Sequence, residues 1–309
     1  MKIGVIIPSI SANSTGRPST WLETRRWAEA AEALGFDSLW INDHLLFRFT
    51  DRPAASDDWA FPDQLGVWEG WTWMSALAAV TERIEIGSWV LSTGFRNPAL
   101  LAKMAISLDE VSAGRLILGV GAGWHDPEHV AFGFPIDHKV ARFEEAMAII
   151  SPLLRTGRVD FPGRYYQAPD LIMDPRGPRP EGPPILIGAD GPRMLRLTAR
   201  FADMWNAHYL GDPSRLAEQR ARLDDACAEV DRDPTTIQTT VGEWITFEDL
   251  APSPDPKVNA VPGSVAAVAD LLGRYEELGV DHFMLQCINP GFDAALERLG
   301  QALAEYRRA

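Results

Sequence analysis

Short apolar runs alternate with longer stretches of helical periodicity from one end of the chain to the other. The runs cover residues 4–7, 38–42, 84–91, 116–120, 185–188, 204–207, 237–247 and 283–287. Helical patterns follow at 21–34, 71–81, 98–111 and 140–154, from Pro192 onward, and at 214–230 and 264–278. The last is marked by Leu296, Leu299, Leu303 and Tyr306. In the fourth, Val140, Phe143, Met147 and Ile150 share one helical face. Strict strand–helix alternation calls for a parallel sheet. Most runs are apolar throughout, as strands covered on both faces must be. An open doubly wound sheet is the rival. Eight strand–helix pairs favour closure, which abolishes sheet edges. The expectation is an α/β fold: one (βα)8 TIM barrel spanning 1–309 as a single domain.

Two stretches break the alternation. Residues 45–70 follow the second strand. Residues 156–184, rich in Pro and Gly, precede the fifth and are expected to hold a hairpin of 159–161 with 165–167, turning at Pro162-Gly163. Loops of this length usually serve as lids or binding loops.

Composition narrows the function. The chain has 309 residues, 46% hydrophobic and 23% charged, with a net charge of −14. That charge repels nucleic acid and anionic membrane surfaces, so neither is an expected partner. No apolar stretch is long enough to cross a bilayer, and the run at 3–7 is too short for a signal-peptide core. Cys227 and Cys287 form no CxxC pair. A cytoplasmic enzyme is the expectation.

A barrel carries its ligand at the C-terminal strand ends. Those ends read Asn42-Asp43-His44, Leu91-Ser92-Thr93-Gly94, Gly121-Ala122-Gly123-Trp124, Gly188-Ala189-Asp190-Gly191, Asn206-Ala207-His208 and Gln286-Cys287-Ile288-Asn289. His44 can exchange a proton near neutral pH, and Asp43 can orient a ring or contact a cofactor. The series Gly119, Gly121, Gly123 departs from dinucleotide-fingerprint spacing and lies on the fourth strand. It is expected to let backbone approach a flat ligand. Gly188-Ala189-Asp190-Gly191 leads into a helix that begins with Pro192, where free N–H groups favour a phosphate. His125-Asp126-Pro127-Glu128-His129 fits an HxxEH zinc pattern, but Pro127 breaks the helix that would present both histidines together. No metal site is expected. Trp59 and Trp124 are placed to wall a pocket for an aromatic ligand.

In these stretches the chain resembles the luciferase-like flavin- and deazaflavin-dependent oxidoreductases. The resemblance is carried by 35–44, 83–91, 97–103 continuing through 114–125, 142–145 and 202–206. It implies a barrel that binds coenzyme F420 or FMN. The stretches 114–124 and 188–206 are more similar to the F420 branch, which favours F420. Asp43, His44 and Ser92 would then contact the ring, Trp89, Val90, Gly121 and Trp124 would also bind the cofactor, and Gly188, Ala189, Asp190 and Gly191 would hold the phosphate. His44 would be the proton donor for hydride transfer to or from a small organic substrate. The alternatives are an FMN monooxygenase using O2 and a non-catalytic ligand-binding barrel. The resemblance also implies a cis peptide at the end of the third strand, between Trp89 and Val90. A homodimer and a separate flavin or F420 reductase are the partners it allows beside the substrate. Some F420 dehydrogenases carry a glutamate proton donor where this chain has Trp124, which argues against a sugar-phosphate dehydrogenase. Substrate choice is expected to reside in residues 45–70.

Overall fold

The computed structural model describes residues 1–10, 18–48, 64–252 and 260–309. Eight parallel strands close into a barrel: β1 (Lys2–Ile6), β2 (Ser38–Ile41), β3 (Glu85–Ser88), β4 (Leu116–Gly121), β5 (Ile185–Gly188), β6 (Met204–His208), β7 (Gln238–Phe247) and β8 (His282–Cys287). Neighbours follow in sequence order, and closure comes through β8 with β1 and β4 with β5. The expected TIM barrel is the fold observed.

Around it lie α1 (Trp21–Leu34), α2 (Gly70–Val80), α3 (Pro98–Val111), α4 (Asp126–Phe132), α5 (Lys139–Arg155), α6 (Pro192–Phe201), α7 (Leu216–Ala228), α8 (Val265–Glu277) and α9 (Phe292–Tyr306). Sequence explains their ends. Thr20 and Glu23 make a capping box at the start of α1, and Gly35 closes it in the left-handed region. Asn97 accepts from the N–H groups of Ala99 and Leu100, and Pro98 occupies the first turn of α3.

Apolar side chains fill the layer between strands and helices. A second, smaller cluster fills the barrel interior: Ile6, Trp40, Trp89, Ile117, Leu186, Met204 and Met284. This plug is packed solid, so only the rim above it is free to bind.

Three features depart from the sequence pattern. The third strand is not continuous to Leu91. It ends at Ser88, the Trp89–Val90 peptide is cis, and Leu91–Ser92 pairs separately with Val120 and Gly121. A short helix, α4, was not expected between β4 and α5. The hairpin after α5 pairs Arg158–Pro162 with Gln167–Ile172, longer than expected. Glu145 on α5 accepts from the N–H groups of Arg164, Tyr165 and Tyr166 at 2.7–3.0 Å and so fixes its turn.

Candidate active site

The C-terminal strand ends surround a cavity of about 700 Å3. That is ample for a cofactor ring and a small substrate. The structure brings Asp43, His44, Trp89, Val90, Ser92, Gly121, Trp124, Gly188, Ala189 and Asp190 to its lining, together with Phe47, Leu65, Glu128, Asn206, Tyr209, Trp244 and Gln286. Gly191 stands just beyond it at the start of α6. The hairpin after α5 contributes no lining residue, because a segment leading into a strand arrives at the opposite end of the barrel. It is a brace and not a lid. Trp59 lies outside the described residues, as does much of the first insertion.

His44 is held from one side. Its Nδ1 lies 3.0 Å from Glu128 Oε1. The other carboxylate oxygen of Glu128 accepts from the N–H of Leu45 at 2.8 Å. Burial raises the Glu128 pKa, but the His44 contact and the N–H groups of Leu45 and Leu46 together bring it below the ordinary value. An ionised carboxylate only accepts, so the proton on His44 sits at Nδ1 and Nε2 is free for chemistry. Phe47 and Trp124 meet the His44 ring edge-on, at 5.3 and 5.8 Å between centroids.

The Asp43 side chain is engaged within the protein. Its two oxygens accept from the Arg96 guanidinium at 2.8 Å each. One also accepts from the Ser92 N–H at 2.9 Å. Arg96 reaches on to Glu69, the cap of α2, at 2.6 Å. A fully buried carboxylate is thus paired and ties the ends of the second and third strands to α2. Neither Arg96 nor Glu128 was singled out for this from sequence. In the sequence Glu128 belongs only to the His125–His129 zinc pattern, and nothing local ties it to His44.

That pattern is dismantled as Pro127 requires. His125 stands outside α4, at its cap position. Its Nε2 accepts from the Arg48 N–H at 3.0 Å. His129 Nδ1 is 3.1 Å from the Pro135 carbonyl. Burial lowers the pKa of both histidines. No grouping of three or more potential metal ligands occurs among the described residues.

The glycine series serves the bulge more than the ligand. A Cβ on Gly119 would lie 1.9 Å from the Ser88 carbonyl oxygen, and one on Gly121 would lie 2.9 Å from Val90 Cγ2. Both are close approaches of strand to strand. Gly121 still borders the cavity; Gly119 does not.

Two observations test the room for a phosphate-bearing ring cofactor. Ser92 Oγ is buried beside the cavity with no partner among the described residues. At the start of α6, Gly191 offers no side-chain cap, Pro192 has no N–H, and a Cβ on Gly191 would meet open space. The N–H groups of Arg193 and Met194 are thereby left for an anion. The residues present fit such a group.

Comparison with known proteins agrees. The profile of the luciferase-like monooxygenases matches residues 1–249. The chain belongs to the luciferase-like monooxygenase family. Within this family it is 32% identical over 225 residues to a phthiodiolone/phenolphthiodiolone dimycocerosates ketoreductase of Mycobacterium tuberculosis, covering 70% of this chain and 58% of that one. It is 34% identical over 224 residues to an F420-dependent glucose-6-phosphate dehydrogenase of Microbacterium testaceum, covering 70% and 62%. The chain thus spans about three-fifths of the length of these relatives. An F420-dependent secondary alcohol dehydrogenase in complex with an F420–acetone adduct shares the fold, with a TM-score of 0.78, 19% identity and 99% of each chain covered. No helix among the described residues is long and apolar enough to cross a membrane.

Proposed function

We propose that this luciferase-like barrel is an oxidoreductase that uses coenzyme F420 to pass a hydride to or from a carbonyl or unsaturated carbon of a small organic substrate. The observation that carries the reading is the His44–Glu128 pair on the wall of the cavity whose opposite rim carries the uncapped start of α6. The F420-dependent relative favours F420 over FMN, and the ketoreductase favours carbonyl reduction over oxygenation.

When bound, the cofactor supplies hydride chemistry. Asp43 through its backbone, Ser92 through Oγ, and Trp89, Val90, Gly121 and Trp124 would hold the ring. Gly188 to Gly191 and the first turn of α6 would hold the phosphate. His44 moves the proton. In the reducing direction the ring takes up a second proton at Nε2 and passes it to the substrate oxygen or carbon, while Glu128, on Nδ1, keeps the ring turned toward the cavity and balances the imidazolium charge. In the oxidising direction, Nε2 accepts that proton.

A sugar phosphate is disfavoured. Trp124 stands where a glutamate donor is expected for that activity, and no Lys or Arg lines the cavity among the described residues. The buried, unbridged Cys227 and Cys287 support a reducing cytoplasm as the enzyme's compartment. A second copy and a reductase delivering the reduced cofactor complete the expected partners.

Absorbance titration with F420 and with FMN, each oxidised and reduced, tests the reading. Micromolar binding of F420, with turnover of a ketone or alcohol, supports it. Tight binding of reduced FMN alone, with O2 consumption, replaces it with the monooxygenase. Binding of neither ring returns the chain to a ligand-binding barrel.

A further inference from the structure

The wall facing His44 has a construction of its own. His44 follows β2, and β6 is four strands away around a ring of eight. Just after β6, Tyr209 takes a left-handed backbone (φ 52°). Its N–H donates to the Gly242 carbonyl at 2.8 Å. The phenol ring lies on the Trp244 indole, 3.7 Å between centroids and 27° between planes. Trp89 meets Tyr209 edge-on at 5.5 Å. The result is a flat aromatic shelf from β6 and β7, beside the end of the third strand.

Both polar tips of this shelf converge on one atom. Trp244 Nε1 donates to Gln286 Oε1 at 2.7 Å, and Tyr209 Oη donates to it at 3.2 Å. An indole nitrogen can only donate, so the receiving atom is the amide oxygen and its orientation is settled by chemistry. Two donors occupy that oxygen. The amide nitrogen of Gln286 has no partner among the described residues, though the residue is only 7% exposed and borders the cavity. That nitrogen opens on the cavity, where its N–H groups are free to donate to a ligand oxygen. Burial raises the Tyr209 phenol pKa, so the hydroxyl stays a donor.

We propose that Tyr209, Trp244 and Gln286 form the substrate subsite, and that it takes an uncharged aryl or alicyclic ketone, its ring on the Tyr209–Trp244 shelf and a polar oxygen accepting from the Gln286 amide. This rests on the F420 oxidoreductase reading and names its substrate class. The charge of the cavity points the same way. Beside the shelf no Lys or Arg among the described residues lines the cavity, so a substrate carboxylate or phosphate finds no cation there, whereas the cofactor phosphate is assigned to the N–H groups at the start of α6.

The test uses calorimetry on the full chain, with and without bound F420. Three probes share one ring: 2-acetonaphthone, 2-isopropenylnaphthalene, which lacks the oxygen, and 2-naphthoate. Wild type is expected to bind the ketone about tenfold more tightly than the alkene, as one neutral hydrogen bond allows, and the carboxylate most weakly. Gln286→Glu keeps the acceptor for Trp244 and Tyr209 but removes the amide donor. At pH 8 it should lose the preference for ketone over alkene while retaining F420 affinity within about threefold. Gln286→Leu checks the same loss without a charge, and its circular dichroism reports folding. Trp244→Leu should weaken ketone and alkene alike. Equal binding of ketone and alkene by wild type overturns the proposal, as does a preference that survives in Gln286→Glu. Displacement of the ketone by F420 overturns it too, since the shelf would then be the cofactor's. If neither F420 nor FMN binds but the ketone preference follows Gln286, the subsite stands and the cofactor reading falls.

Discussion

The two walls of the cavity are built by opposite means. The wall from the second to fourth strands is built from ionisable groups: His44 on Glu128, and Asp43 and Glu69 on Arg96. The wall from the sixth to eighth is neutral, with Tyr209 on Trp244 and both on Gln286. Charged groups at a dry site must be paired, and pairing fixes them in place. Aromatic rings give broad apolar contact and tolerate different ligands. The difference teaches which wall can move protons and which can only select.

The largest effect is expected where that division is sharpest. His44→Asn should lower turnover by about 10²–10⁴-fold while F420 affinity changes little. Stopped-flow measurement of cofactor reduction or oxidation checks this. Turnover within threefold of wild type would mean that His44 is only part of the wall.

Arg96→Met leaves the fully buried Asp43 carboxylate without its cation. Loss of one partner of such a pair costs about 3–5 kcal/mol. Urea unfolding measures it. No matching loss is expected from Trp244→Phe, which keeps the shelf and removes one hydrogen bond, worth about 1 kcal/mol. Equal losses would erase the contrast between the walls.

Protons distinguish the walls in a third way. Glu128 has a lowered pKa, so the stability it contributes is present above its ordinary value near 4.5 and is lost as pH falls. Glu243, on the helix side of the β7 strand that carries Trp244, is the reverse. Burial pushes its pKa up, against the hydrogen bond from Tyr275 Oη at 2.9 Å and the N–H groups of Gly211 and Leu210. One of its oxygens has no partner. The unfolded chain therefore ionises first, and stability falls as pH rises from about 4.5 through the raised value. Stability against pH for Glu243→Gln should lack that decline, and Glu128→Gln should lack the loss in acid. Parallel curves for wild type and both variants would refute the assignment.

The smallest expected effect is none. Chelator-treated protein should keep its turnover, because His125 and His129 are each bonded to backbone and do not share a helical face. Zinc that restores a lost activity would overturn this.

Legibility in the sequence was uneven for physical reasons. Most of the barrel strands stood out as apolar runs because they are largely buried on both faces. The third was overextended, since Trp89 and Leu91 are as apolar as the strand they leave. Apolar pattern reports burial, and both residues are buried. The short α4 was missed because seven residues give little periodicity and Pro127 disguised its start. Long Pro- and Gly-rich loops suggest lids at either end of a barrel. Only the connection order shows that the hairpin after α5 sits away from the rim.

The site followed the same divide. His44, Asp43, Ser92 and Trp124 could be named because they follow strand ends, and chain order places strand ends at one rim. Alternation therefore determined the barrel, the rim and the candidate proton carrier. Sequence could not pair them. Glu128 reaches His44 across 84 positions, Arg96 reaches Asp43 across 53, and Gln286 reaches Trp244 across 42. Partners so distant meet only when the barrel closes, since closure is set by the summed packing of all strands and leaves no local signal at any one of them.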